Sequence, residues 1–225
     1  MTEPIQKRRW AGLAEKRPCW RLTLRGWLLL LLLAAGLAWL GLHSIYPFLA
    51  TTSRVDRGIL VLEGWVPDYE IPAVREEFAR SRCDILYITG GPLLNGEPLA
   101  EYKNYANLTA SVLAVSGFSP QELVAVPSTE AMNDRTYASA RALRAWLIAH
   151  HRPVSAINLI TRGCHARRSR RLFFLAFQRE IPVGVISLKD GRYDEARWWR
   201  TSEGAKDVIE ECIGYAYVRL FFRGP

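Results

Sequence analysis

The sequence predicts an α/β protein with one apolar helix ahead of its folded part, and two observations carry that prediction. From Gly58 onward, short apolar runs of strand length alternate with longer amphipathic ones, the rhythm of a parallel sheet covered by helices. Before that rhythm begins, Trp27 to Leu42 carries no charge and is almost wholly Leu, Ala, Gly and Trp, a run close to a bilayer's span. The fold expected is a Rossmann-like three-layer sandwich with a mostly parallel sheet, preceded by one N-terminal transmembrane helix.

The apolar helix comes first in the chain. Lys7, Arg8, Arg9, Lys16, Arg17, Arg21 and Arg25 precede it, against only Glu3 and Glu15. The positive-inside rule then predicts a single-pass protein of the inner (plasma) membrane, with a cytoplasmic N-terminus and an extracytoplasmic C-terminal domain. The organisation expected is a basic tail over residues 1–25, a span over 26–46, a linker over 47–57 and one α/β domain over 58–225. A cleaved signal peptide also joins a basic region to an apolar stretch. Residues 43–50 offer no small-x-small cleavage site, however, and the apolar core is long for a signal, so an uncleaved anchor is favoured. Arg8-Arg9 lies too far upstream for a twin-arginine signal and reads as topology charge.

The formal charge of +8 divides unevenly. Seven basic against two acidic residues over 1–50 leave +5 there and +3 for the rest. Most of the basicity therefore orients the chain and meets lipid headgroups, and no nucleic-acid partner is expected. Cys83, Cys164 and Cys212 fall in the exported part without metal-ligand spacing. They permit at most one intramolecular disulfide of unassigned partners, and buried thiols are the preferred reading.

The elements follow in order. Strands are expected at Ile59–Leu62, Ile85–Thr89, Leu123–Val126, Ile157–Thr161 and Val183–Ser187, with helices over Pro72–Arg80, Leu99–Ser116, Asp134–His150, His165–Gln178 and Ser202–Phe222. Gly90-Gly91-Pro92, Ser119-Pro120 and Gly163 punctuate the pattern. In the last helix Ile209, Ile213, Ala216, Tyr217 and Leu220 share one face, which is expected to pack on the sheet.

In open parallel sheets ligands bind beyond the carboxyl ends of the strands, so the candidate residues are sought there. Strand one runs into Glu63-Gly64-Trp65-Val66-Pro67-Asp68, which offers two carboxylates and an aromatic wall, although Asp68 equally suits a helix cap. Strand two ends in Thr89-Gly90-Gly91, where the absence of side chains lets backbone amides approach a ligand. After strand three, Asn133 or Asp134 can cap the next helix, while Glu130, Arg135 and Tyr137 have no evident structural task, and Thr136 falls in the first turn. After strand four, five arginines fall in the ten residues from Arg162, around Gly163, Cys164 and His165, and no acid balances them. Positive charge at a helix start is unfavourable, so a bound anion would offset it there. His165 and Arg168 share a face, whereas Arg170 and Arg171 read as solvated. Of Trp198 and Trp199, one is expected in the core and the other against a ligand.

Taken in succession, an apolar strand with a glycine loop (Gly64), Thr89-Gly90-Gly91, Glu130 with Thr136, and His165-Ala166-Arg167-Arg168 resemble the YdcF-like family. That family also includes the SanA-like and ElyC-like membrane-anchored envelope proteins of bacteria. The resemblance spans residues 58–222 and implies a Rossmann-like fold and a role in envelope or cell-wall biogenesis outside the inner membrane. Glu63-Gly64-Trp65 is a reduced form of the family's glycine-rich first loop, and Ala138-Ser139 stand where a Glu-Asn pair commonly follows the Thr.

Two functions are expected. In the first, the exported domain binds an anionic small-molecule or lipid-linked wall precursor and hydrolyses or transfers it. Glu63 or Glu130 would then act as acid or base, His165 as a second proton carrier, and Arg135, Arg162 and Arg168 as an anion clamp. The ligand-binding set also holds Gly64, Trp65, Asp68, Gly90, Gly91, Thr136, Tyr137, Gly163 and Trp199. No metal cluster is evident and no cofactor is assigned. In the second, the domain is a non-catalytic scaffold or regulatory factor that works through its helix faces or Trp198-Trp199.

Overall fold

The computed structural model describes residues 9–10, 14–15, 22–94, 101–129 and 133–224, and the chain forms two compact units, 1–41 and 42–225. The first holds an antiparallel pairing of Arg9–Trp10 with Ala14–Glu15 and most of helix α1 (Leu24–Leu49). Helix α1 has 26 residues, and its most apolar 18-residue stretch has a mean hydropathy of 2.1, so it is long and apolar enough to cross a membrane. It starts before the span expected at 26–46 and continues through Pro47.

The second unit is built on five parallel strands: β1 (Ile59–Glu63), β2 (Leu86–Gly90), β3 (Leu123–Pro127), β4 (Ile157–Arg162) and β5 (Val183–Leu188). Their order is β3-β2-β1-β4-β5, so the direction of strand addition reverses between β1 and β4, where an open α/β sheet gathers ligands. The register sets Glu63 beside Thr89, and Leu62 beside Ile160. Residues alternate across the sheet. Leu60, Leu62, Ile88 and Ile160 meet Val74, Leu113 and Phe118 on one face, while Val61, Tyr87 and Leu159 meet Leu143, Leu147 and Phe173 on the other. Because both faces are covered, the strands read as continuous apolar runs.

The helices are α2 (Ile71–Ser81), α3 (Tyr105–Val115), α4 (Arg135–Ala149), α5 (Ala166–Ala176) and α6 (Ser202–Leu220). Helix α3 begins later than expected because Asn104 caps it, its Oδ1 accepting from the Asn107 amide at 2.8 Å. Asp134 occupies the N-cap of α4, but its φ is 48° and its side chain makes no capping bond. Thr201 caps α6, its Oγ1 accepting from the Gly204 amide at 3.2 Å.

Two expectations are corrected. The stretch read as a linker over 47–57 is part of the fold. Leu49 is buried, the Ser53 and Val185 amides donate to each other's carbonyls at 2.7 and 2.8 Å, and the Asn158 side chain brackets the Val55 backbone with two bonds of 2.9 Å. The apolar face of α6 points outward, with Ile209, Ile213, Tyr217 and Leu220 left 54, 66, 49 and 68 % exposed, and its inner face is Gly204, Val208, Glu211 and Val218. The reversal has a physical cause: Glu211 is neutralised inside, so the rule that sends acids outward chooses the wrong side. Cys83, Cys164 and Cys212 are free thiols, and Cys164 is buried.

Candidate functional site

A cavity of about 460 Å³ opens at the strand ends, lined by Glu63 at the end of β1 and Trp65 beyond it, Thr89, Gly90 and Gly91 at β2, Arg135 and Thr136 on α4, and Arg162 at the end of β4 with His165 and Arg168 beyond it. Residues separated by more than a hundred positions thus converge because parallel strands deliver all their carboxyl ends to one edge.

Glu63 is 2 % exposed and accepts from Ser169 Oγ at 2.9 Å. His165 stands over it, with Nε2 3.9 Å from Glu63 Oε2 and 3.5 Å from Thr136 Oγ1, and Trp65 meets the imidazole edge-on at 4.8 Å between ring centres. On the other side of the ring, Nδ1 lies 2.6 Å from Glu211 Oε1. Arg168 Nη2 also lies 3.0 Å from Nδ1, but the shorter contact is to a carboxylate that can only accept, so we assign the ring proton to the Glu211 bond, which leaves Nε2 free to face the cavity. Arg168 completes the unit by donating from Nε and Nη2 to the two oxygens of Glu211 at 2.7 and 2.8 Å. Burial alone would raise the Glu211 carboxyl, but the charge of His165 and the bonds from Arg168 outweigh it and hold it at about 2.

The expected clamp of three arginines is reduced to one. Arg168 is committed to Glu211. Arg162 lies over the Trp65 ring at 5.2 Å and pairs with the buried Asp190, Nε to Oδ2, at 3.3 Å. Arg135 is different. It donates from Nη2 to the Pro92 carbonyl at 3.0 Å and lies 5.4 Å from the Tyr105 ring centre. Among the described residues it has no carboxylate partner, and its buried Nε has no hydrogen-bond partner. Six carboxylates line the cavity (Glu63, Asp134, Asp190, Asp207, Glu210 and Glu211), so Arg135 is its one uncompensated cation among the described residues.

Other expected residues lie elsewhere. Asp68 is exposed and outside the cavity. Gly64 is buried under α3, where a Cβ would come within 2.9 Å of the Thr89 and Tyr105 carbonyls, so its role is close packing. Gly163 is buried, and a Cβ there would meet the Tyr46 hydroxyl at 3.0 Å. Tyr137 turns to the far side of α4 and meets Phe222 edge-on at 5.0 Å. Trp199 packs against His43 at 4.9 Å, while Trp198 is the buried tryptophan of the pair and donates to the Leu42 carbonyl at 3.0 Å. Glu130 lies outside the described residues.

The sequence reading missed Glu211, Glu70 and Asp190. Asp190 lies two residues past β5, and the strand-end rule that selects Glu63 at the end of β1 also finds it. Glu70 is 4 % exposed, has no hydrogen-bond partner on either oxygen among the described residues, and stands 4.0 Å from Arg162 Nε. Its burial, only partly offset by the charge of Arg162, pushes its carboxyl up to about 7. Glu211 sits mid-helix and carries no local signal. Among known proteins, no family model and no curated protein matches the chain.

Proposed function

We infer that the chain is a membrane-anchored envelope protein whose extracytoplasmic domain takes an anionic cell-wall or lipid-linked precursor into the strand-end cavity and moves a proton on it, as hydrolysis or group transfer requires. The observation that carries this reading is the imidazole of His165, fixed on one side by Glu211 and open on the other toward Glu63 and Thr136. Nε2 takes the proton of an attacking hydroxyl or water, and the imidazolium so formed is stabilised by Glu211. Glu63 returns or relays that proton. Arg135 holds the ligand's anionic group, and since the remaining cations are neutralised by acids, the ligand that fits carries one such group on an otherwise polar body. The basic N-terminal flank and the resemblance to anchored YdcF-like proteins support the location.

The test uses the full chain in neutral-detergent micelles with an undecaprenyl-monophosphate-linked sugar as probe. Arg135→Ala is expected to weaken binding at least tenfold, and His165→Asn to abolish turnover while binding persists. Binding unchanged in Arg135→Ala together with turnover unchanged in His165→Asn overturns the reading. A second reading, a scaffold for other envelope proteins, is favoured by one observation, the exposed apolar face of α6. Probe binding absent in the parent chain, with partner capture lost in Ile213→Ser, selects it.

A further inference from the structure

A second cavity, of about 630 Å³, lies between one face of α4 and the end of α5 and takes in Arg223 near the C-terminus. Its lining reverses the electrostatics of the first. Arg141, Arg144, Arg179 and Arg223 all border it, and among the described residues no carboxylate does. Arg144 pairs with Glu180, whose Oε2 is 3.7 Å away; among the described residues Arg141, Arg179 and Arg223 have no carboxylate within 4.0 Å. In the strand-end cavity Arg162 and Arg168 each have a carboxylate partner; here, among the described residues, one of four guanidiniums does. Arg141 and Arg144 also stand three apart on one helix, an arrangement of like charges that is unfavourable in the empty protein and favourable around an anion.

Ala145, Ile148, Leu175 and Ala176 give the lining an apolar strip, with Tyr137 and Gln178 beside it. Gln178 and Arg179 follow α5 with φ of 56° and 65°, two successive non-glycine residues in the left-handed region, and both border the cavity. A fork-shaped cation set around an apolar wall fits a phosphate group carried on an apolar body better than it fits a bare ion.

We propose that this α4–α5 cavity is a second ligand site, for the phosphate group of an amphiphilic phosphate ester, separate from the strand-end cavity. A lipid headgroup and a soluble phosphate both offer this group, and the test separates the two. Isothermal titration of the full chain in neutral-detergent micelles is run with hexyl phosphate and with inorganic phosphate. Hexyl phosphate is expected to bind at least tenfold more tightly than inorganic phosphate. The double variant Arg141→Ala/Arg179→Ala, at two exposed positions, weakens hexyl phosphate at this cavity at least tenfold, and Arg135→Ala, which removes the anion contact of the strand-end cavity, leaves the α4–α5 binding in place. Equal affinity for the two probes, still lost in the double variant, assigns the site to a soluble phosphate. No binding of either probe, or binding that survives the double variant, overturns the proposal. Loss in Arg135→Ala alone moves the phosphate to the strand-end cavity and overturns it as well. A melting temperature unchanged in the double variant confirms that lost binding is not lost folding.

Discussion

His165 Nδ1 and Glu211 Oε1 are 2.6 Å apart, and the same carboxylate accepts both Arg168 bonds, so one acid on α6 positions the imidazole and neutralises the guanidinium of the preceding loop and helix. Glu211→Gln keeps the shape but removes the charge that stabilises imidazolium. With His165 as the base, turnover of the undecaprenyl-monophosphate-linked sugar falls on the order of tenfold or more. Rates of the parent and the variant, compared at one pH, check this directly; an unchanged rate defeats it.

The same carboxylate makes stability depend on acid. Its folded value of about 2 lies below the ordinary 4.5, so the unfolded chain binds the proton more tightly. The contribution is complete above pH 4.5 and is lost as pH falls through 2, up to about 3 kcal/mol. Denaturant melts of the parent between pH 5 and 2 should show that loss, and melts of Glu211→Gln should lack this part of it.

Glu70 acts in the opposite direction. Burial raises it to about 7 against an ordinary 4.5, so the folded chain binds the proton more tightly. Its favourable contribution is fully present below pH 4.5 and disappears as pH rises through 7, again up to about 3 kcal/mol. Glu70→Gln should therefore gain stability relative to the parent at pH 8 and little at pH 5. Equal differences at both pH values would show that Glu70 is ionised throughout.

How much of this was legible in the sequence depends on the range of each cause. The strands were legible because burial on both faces writes apolar runs, and Glu63, His165 and Arg135 because the strand-end rule is local. Pairing was not legible. Whether Arg162 or Arg168 is a free cation depends on Asp190 and Glu211, which lie 28 and 43 residues further on and belong to other elements. The glycines after β1 and β2 were read as ligand cradles, yet their positions are also set by helix α3 passing overhead, a contact that no spacing in the sequence reports.

That contact is open to test at Gly90. A Cβ there would come within 2.7 Å of the Ala106 amide nitrogen and 2.8 Å of Tyr105 Cβ, inside contact distance of backbone that cannot swing aside. Gly90→Ala must push α3 outward and is expected to cost about 1–3 kcal/mol in denaturant melts. A neutral substitution would mean that the first turn of α3 yields freely.

The outward face of α6 gives the sharpest contrast. Val208 is wholly buried against Tyr46, Leu49 and Trp198, whereas Ile213 is 66 % exposed on the opposite side of the same helix. Val208→Ala removes buried methyl groups and leaves a void, a loss of about 1–3 kcal/mol. Ile213→Ser changes little in the folded domain and should fall within about 0.5 kcal/mol. Periodicity alone predicts a large cost at Ile213, because it assigns that residue to the core. Melts of the two variants side by side separate the orientations, and a large loss at Ile213 would mean that the apolar stripe is covered in solution by a further copy or partner.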